Sequence, residues 1–201
     1  MDMLIAGLVI FLGIHALRVW GEGLRSALLQ RLGPLGFKGV YSIASLAGFY
    51  LLVVGYGQAR LEPVQLWTPA PGMAHAAVAL MWVSMVMLAA AEIPRNAIKA
   101  RLRHPMVLGV KVWALAHILA NGTLHDVLLF GGFLVWAVLS FRAARQRDRA
   151  ALAAGEASDT PSVSGAATIS AVLAGTVVWA AFILVAHVWL IGVAPLPGMV
   201  V

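Results

Sequence analysis

One stretch of the sequence, residues 103–122, carries ionisable side chains inside an apolar run that is long enough to cross a bilayer. His104 lies near its start, Lys111 in its middle and His117 near its end. Ionisable groups inside a membrane-spanning helix cost free energy, so they are candidates for function by default. Imidazole is the most common metal ligand among protein side chains, and it also holds haem iron. The stretch therefore predicts a helix that supplies a ligand to a metal or to haem.

The spacing of the histidines decides which of them can act together. His104 and His117 are thirteen residues apart, which on a helix separates them by about 20 Å and turns them to different faces. They cannot share one metal without ligands from other helices. His15 lies in the first apolar segment and His187 in the last. For His15 and His117, hydrogen bonding between helices is the alternative role.

The pattern around these histidines favours haem over a bare metal. The apolar segments contain neither a Glu-x-x-His pair nor a His-x-x-x-His pair, which di-metal sites and zinc proteases use. The chain has no cysteine, so thiolate ligands, iron–sulfur clusters and covalent haem attachment are excluded. Two lone histidines on two helices can instead bind a haem iron between them.

Three further residues are candidates for contacts with such a haem. Trp113 shares a helix face with the second histidine of the stretch, where it serves as an aromatic wall or as ordinary packing. Arg18 lies one turn beyond His15 and is expected to meet a haem propionate or a lipid phosphate. Lys111 needs a partner at its own depth in the membrane. Glu92 and a haem propionate are the candidates, and the alternative is that the side chain extends to the membrane interface.

Composition identifies an integral membrane protein. Of 201 residues, 62% are hydrophobic and 11% are charged, whereas in soluble domains about 25% are charged. The net charge is +6, but the basic residues lie between apolar runs rather than in one patch. This distribution indicates a lipid bilayer rather than a nucleic acid as the partner. The first apolar run lacks a basic start and a small-residue cleavage site, so we expect a retained helix rather than a signal peptide.

Six apolar segments are long enough to span a bilayer, and they cover residues 3–20, 38–57, 73–93, 105–121, 124–141 and 168–193. Twelve Lys and Arg residues fall in the first, third and fifth connections, against Arg60 alone in the second and none in the fourth. By the positive-inside rule, the three basic connections are cytoplasmic and both termini face outward. The predicted fold class is therefore an all-α, polytopic membrane bundle of about six transmembrane helices.

The composition also divides the chain into parts of one domain. Residues 1–141 are predicted to form a five-helix membrane core. Residues 142–167 are rich in Arg, Ala, Gly, Ser and Thr, which is typical of a solvated, mobile linker. Residues 168–201 add a C-terminal transmembrane helix, which completes the domain and is expected at the periphery of the core.

Five motifs resemble the bacterial NnrU family, and the resemblance spans nearly the whole chain. They are Phe-Leu-Gly-Ile-His-Ala-Leu-Arg (11–18), Lys-Gly-Val-Tyr-Ser (38–42), Val-Gln-Leu-Trp-Thr-Pro (64–69), the stretch 103–122 and His-Val-Trp-Leu-Ile-Gly-Val-Ala-Pro-Leu (187–196). The family is in turn similar to plastid 15-cis-zeta-carotene isomerase, a haem b protein with the same membrane core. Matched motif to motif, this resemblance implies haem b with His15 and His117 as axial ligands. His75 and His104 also match histidines of that enzyme.

The depth of each histidine in the membrane leaves a second pair open. The topology places His15 toward the cytoplasmic face and His117 toward the outer face, about 10 Å apart along the membrane normal. The two ligands of an upright haem are nearly level. His117 with His187 is therefore the alternative pair, because both lie near the outer face.

The resemblance also implies a function. Members of this family are associated with nitrite and nitric oxide metabolism in denitrifying bacteria, so we expect a multi-pass protein of the bacterial inner membrane. An isomerase-type or redox-type reaction on an apolar or small gaseous ligand is one expectation. A non-catalytic haem carrier, gas sensor or assembly factor is the alternative. Arg-His-Pro-x-x-x-Gly at 103–109 is also similar to membrane methyltransferases that use S-adenosylmethionine, but the residues after Ser140 lack the Glu- and Tyr-rich ending of those enzymes.

Overall fold

The protein is almost entirely helical in the computed structural model, which describes residues 1–156 and 162–199. Within those ranges there is no β-strand, and one isolated bridge joins Gln65 to Thr123. A π-helical turn, Phe182–Ala186, connects the last two helices. These findings confirm the predicted all-α class. The helices are α1 (Asp2–His15), α2 (Leu17–Trp20), α3 (Glu22–Ala59), α4 (Met73–Glu92), α5 (Ala97–Leu102), α6 (Pro105–Ala120), α7 (Leu124–Ala153), α8 (Gly165–Ala181) and α9 (His187–Ile191).

The long helix α3 changes direction at Gly33, whose φ of 69° and ψ of 171° are not helical. Glycine adopts a positive φ readily, and Pro34 directly after it suits the first turn of a new helix. The part of α3 before this bend exposes Leu24 and Leu32 beside Arg25. Exposed apolar and basic side chains on one short helix are typical of a segment that lies along a membrane surface.

Helix α1 packs directly against the part of α3 that follows the bend. Gly48 is buried in this contact, and a Cβ atom at this position would lie 2.8 Å from the backbone nitrogen of Phe11. The two backbones therefore approach more closely than a larger residue would permit, as small residues allow in membrane helix pairs. This approach fixes the position of Phe11, one turn before His15.

Helix α6 packs against α4 and α7, and α8 also packs against α4. Side-chain hydrogen bonds join these helices. Ser84 Oγ donates to the carbonyl oxygen of Gly109 at 2.8 Å, and Trp179 Nε1 donates to the carbonyl oxygen of Val78 at 2.9 Å. In lipid, such bonds contribute to helix association because apolar surface alone gives little driving force. The C-terminal helix is thereby attached to the core.

The connection between α3 and α4 folds back over the turn between α6 and α7. The backbone nitrogen of Leu66 donates to the carbonyl oxygen of Gly122 at 2.8 Å, and that of Leu124 donates to the carbonyl oxygen of Val64 at 2.9 Å. The loop therefore closes the end of the bundle that lies opposite the basic connections.

Four helical segments of the described chain have the length and hydropathy of a full membrane span, against the six that we predicted. They are α3, α4, α7 and the continuous segment Gly165–Ile191. Helix α1 has 14 residues and α6 has 16. At 1.5 Å per residue they are about 21 and 24 Å long, shorter than a hydrocarbon core of about 30 Å. The predicted first span, residues 3–20, was too long because α1 ends at His15.

The predicted linker, residues 142–167, was wrong in its first part. Residues 142–153 continue α7 as far as Ala153. Ala, Arg and Gln are strong helix formers, and this preference outweighs the low hydropathy that indicated a linker. The next helix begins at Gly165, where Ser164 provides the cap. Residues 157–161 of the predicted linker lie outside the described residues.

Candidate functional site

His15 is the last residue of α1, and it is oriented by its own helix. Its Nδ1 donates a hydrogen bond to the carbonyl oxygen of Phe11 at 2.7 Å. The imidazole stacks on the Phe11 ring with centroids 4.3 Å apart. The rings of Tyr41 and Trp136 approach it edge-on, with centroids at 5.4 and 6.3 Å. Helices α1, α3 and α7 thus all contribute to the environment of this histidine.

A cavity of about 370 Å³, open to the outside of the bundle, adjoins His15 between α1 and α3. Its size falls within the range of small-molecule sites. Ser45 Oγ is buried beside it without a hydrogen-bond partner in the described part of the chain. An unpaired hydroxyl in an apolar cavity is costly, so a polar atom of a ligand is a suitable partner. The cavity is lined by Phe11, His15, Tyr41, Ser42, Ser45, Leu46 and Phe49.

His117 lies in the last turn of α6, and it is oriented in the same way. Its Nδ1 donates to the carbonyl oxygen of Trp113 at 2.8 Å. The imidazole stacks on Phe130 of α7, with centroids 4.4 Å apart and an interplanar angle of 23°. The Trp113 ring lies 5.2 Å from it, so Trp113 does share the face of His117 as predicted.

A common tautomer follows from these contacts. A carbonyl oxygen only accepts hydrogen bonds, so Nδ1 carries the proton and Nε2 keeps its lone pair. His187 makes the same contact, because its Nδ1 donates to the carbonyl oxygen of Val193 at 2.6 Å. In residues 1–156 and 162–199, Nε2 of His15, His117 and His187 has no hydrogen-bond partner. Histidines that bind metals adopt this arrangement when a backbone carbonyl orients the ring.

The structure connects His15 to His117 through aromatic rings rather than by direct contact. Phe11, which stacks on His15, lies 5.8 Å from Phe133. Phe133 lies 5.3 Å from Trp113, which contacts His117. Each imidazole on its own fits the donor chemistry of a haem ligand. Binding of both to one iron requires the rings along this path to move apart.

The alternative pair remains open on this geometry. His187 begins α9, and His117 lies in the last turn of α6. Both rings present an Nε2 lone pair, and both lie at the end of the bundle opposite the basic connections. The two pairs therefore share His117 and differ in the second ligand.

The other predicted contact residues lie apart from these rings. Lys111 is half-buried, and no carboxylate of the described chain lies within 4.0 Å of it, so the structure does not pair it with Glu92. The Arg18 side chain is exposed, and its carbonyl oxygen accepts a hydrogen bond from Arg147 at 3.1 Å. His104 precedes α6 and is bound to the extension of α7.

Asp148, on the charged extension of α7 beyond the apolar span, is the partner of His104. His104 Nε2 donates to Asp148 Oδ2 at 3.0 Å, and the guanidinium groups of Arg145 and Arg103 lie 3.4 and 3.7 Å away. Partial burial acts to raise the pKa of Asp148, whereas the His104 hydrogen bond and the arginine charges act to lower it. The lowering is larger, so the pKa of Asp148 lies below its ordinary value. His104 thus connects α6 to α7 at the basic end of the bundle.

One buried polar network was not predicted. Tyr56 Oη donates to Asp126 Oδ1 at 2.6 Å, and Thr123 Oγ1 donates to the other oxygen of Asp126 at 2.5 Å. His125 Nε2 lies 3.0 Å from the Thr123 hydroxyl. Thr-x-x-Asp before an apolar run is a capping signal, so Thr123 and Asp126 could be found from the sequence. Tyr56 could not, because it lies 70 residues from Asp126.

No group of three or more His, Cys, Asp or Glu side chains that could hold a bare metal ion occurs in the parts of the chain that the structure describes. A sequence model of the NnrU family, described as NnrU protein, matches residues 3–195, nearly the entire chain. No curated protein and no solved structure matches with significance.

Proposed function

The chain belongs to the NnrU family, and from this premise we propose that it is an integral membrane protein that binds haem b through His15 and His117. Its role would be in nitrite or nitric oxide metabolism of denitrifying bacteria, at the inner membrane. A reaction of the isomerase or redox type would take place beside His15. The proposal is compatible with the apolar helices, which indicate a lipid environment.

The observation that supports this proposal most is the shared tautomer of the two histidines. Each Nδ1 donates to the backbone carbonyl four residues earlier, and each Nε2 keeps its lone pair. The free Nε2 is the atom that coordinates a metal when a backbone carbonyl orients the ring through Nδ1. Haem would supply an iron that exchanges one electron and binds a small ligand.

The aromatic residues around the histidines have two tasks in this proposal. Phe11 and Phe130 stack on the imidazoles and hold their planes. Phe133 and Trp113, which separate the two histidines, would line the haem once they move apart. A low-polarity surrounding is one of the means by which a protein tunes a haem potential. Trp113 also provides the carbonyl that orients His117.

The cavity beside His15 favours a site that admits a ligand over a haem carrier. Its walls are mainly aromatic and aliphatic, and the Ser45 hydroxyl offers one polar contact. An apolar molecule or a small gas dissolved in the bilayer fits this lining. A gas sensor would use the same ligands and the same cavity without turnover.

The experiment is the absorption spectrum of the detergent-purified chain, oxidised and reduced. We expect a Soret band in the wild type and its loss or strong shift in His15→Ala and in His117→Ala. His75→Ala is the matched control, because His75 is exposed on α4, and its spectrum should equal that of the wild type. His187→Ala tests the alternative pair. A Soret band that survives unchanged in both His15→Ala and His117→Ala would contradict the assignment.

A further inference from the structure

A second cavity, an open groove on the surface of α7 alone, lies on the charged extension of that helix, away from the candidate ligands His15 and His117. It has a volume of about 370 Å³. Three of its lining residues are arginines spaced by three and four positions, which places them on one helix face. Neither the haem proposal nor the family assignment uses this cavity. It is lined by Phe141, Arg142, Arg145, Gln146 and Arg149.

The cavity lies where the apolar part of α7 ends. The sequence is apolar up to Phe141 and charged from Arg142 onward. Arg142 and Arg145 lie about 2 and 6 Å beyond Phe141 along the helix axis. The headgroup layer of a bilayer is about 5–8 Å thick on each side. The first two arginines of the cavity are therefore at the depth of lipid phosphates.

The charges of the cavity are only partly compensated. Arg145 lies 3.4 Å from Asp148, which holds its guanidinium in place. Within residues 1–156 and 162–199, no carboxylate lies within 4.0 Å of Arg142 or Arg149. The cavity thus combines one oriented guanidinium with two that are available for an anion. A guanidinium binds phosphate oxygens in a bidentate manner.

We propose that this cavity is a binding site for the phosphate of an anionic phospholipid. Arg142 and Arg145 contact the phosphate, Arg149 extends its long side chain back toward it from about one turn further along the helix, and the Gln146 amide donates a further hydrogen bond. The Phe141 ring contacts the upper part of an acyl chain. A lipid is favoured over free phosphate as the source, because Phe141, at the end of the apolar part of α7, lines the cavity.

The test compares two double variants of the full chain with equal loss of charge. Arg142→Gln with Arg149→Gln alters the cavity. Arg31→Gln with Arg101→Gln alters two exposed arginines of other basic connections. Binding of phosphatidylglycerol and of phosphatidylcholine to the detergent-purified protein is measured by native mass spectrometry, and circular dichroism checks that both variants keep the wild-type helix content.

We expect the wild type to prefer phosphatidylglycerol, and the cavity variant to lose about tenfold in affinity for it. The matched variant should change by less than twofold, and Arg142→Lys with Arg149→Lys should retain much of the preference. Equal losses in both Gln variants would mean a diffuse charge effect and would overturn the proposal. Complete displacement of the lipid by millimolar inorganic phosphate would also overturn it, because the ligand would then be a free anion. If the cavity variant fails to fold, the wild-type protein alone still provides a test, because its preference for phosphatidylglycerol should weaken as salt rises. A wild type that shows no such preference would count against the site.

Discussion

Phe130 of α7 stacks on His117 of α6 with ring centroids 4.4 Å apart. Phe130 is only 5% exposed, and it also meets Trp113 edge-on at 5.0 Å. One aromatic ring therefore contacts both the candidate ligand and the residue whose carbonyl orients that ligand. The position of His117 depends on α7 as much as on its own helix.

Phe130→Ala should both destabilise the protein and loosen His117. Removal of a buried phenyl ring leaves a cavity that costs about 3 kcal/mol. Thermal unfolding in detergent, followed by circular dichroism, measures the loss. Phe49→Ala is the control, because Phe49 is 54% exposed, and it should change the midpoint little. Equal midpoints for the two variants would show that the stack is not a stabilising contact.

Gly48→Ala should separate α1 from α3. The new Cβ atom would lie 2.8 Å from the backbone nitrogen of Phe11 and 3.0 Å from its Cα, and backbone atoms cannot give way locally. We expect a lower unfolding temperature and weaker binding of any ligand beside His15. Gly39→Ala is the matched control in the same helix, since a Cβ atom there meets nothing within 4 Å. That variant should be neutral or more stable by up to about 1 kcal/mol. A neutral Gly48→Ala would contradict the close approach.

Tyr56→Phe and Asp126→Asn should be coupled. Each removes one side of a 2.6 Å hydrogen bond in a buried network, and a buried polar group without its partner costs about 1–3 kcal/mol. In a double-mutant cycle, the double variant should therefore lose less unfolding free energy than the two single variants lose in total. The difference should be at least about 0.5 kcal/mol. Tyr50→Phe, at a tyrosine that is 64% exposed, should have no effect. Strict additivity of the two variants would indicate that the hydroxyl and the carboxylate do not interact.

Asp148→Asn should lower stability modestly and in a pH-dependent way. The carboxylate pairs with His104 and two arginines, but it is partly solvated, so the cost should be about 1 kcal/mol or less. Because folding lowers the pKa of Asp148, its contribution is present above the unfolded pKa of about 4 and is lost as pH falls through the folded value. The difference in unfolding temperature between wild type and variant should therefore be largest near neutral pH and vanish in acid. A difference that grows toward acid would reverse the assigned sign.

The sequence predicted those features that depend on short-range signals. Pro105 and the Asn121–Gly122 pair marked the ends of α6 to within one residue. The spacing of Trp113 and His117 placed both on one face, as the structure confirms. Helix class follows from apolar runs and from such start and stop residues, and so it is readable from one sequence.

Features that depend on side-chain rotamers or on distant residues were not predictable. The Nδ1 hydrogen bonds of His15 and His117 depend on how each ring is turned, which spacing does not decide. The pairing of His104 with Asp148 joins residues 44 positions apart. Residues 142–153, which were predicted to belong to a linker, continue α7 because their helix propensity outweighs the low hydropathy of this segment. The proposed ligation of haem by His15 and His117 stays a prediction.

The most direct measurement for this ligation is the electron paramagnetic resonance spectrum of the oxidised, purified protein. A haem iron held by two imidazoles is low-spin, and loss of one ligand opens a coordination position and favours the high-spin form. We expect a low-spin haem signal in the wild type and a high-spin signal, or no haem at all, in His15→Ala and in His117→Ala. A wild type without any haem signal, or a low-spin signal that both variants retain, would contradict the ligation of haem by these two histidines.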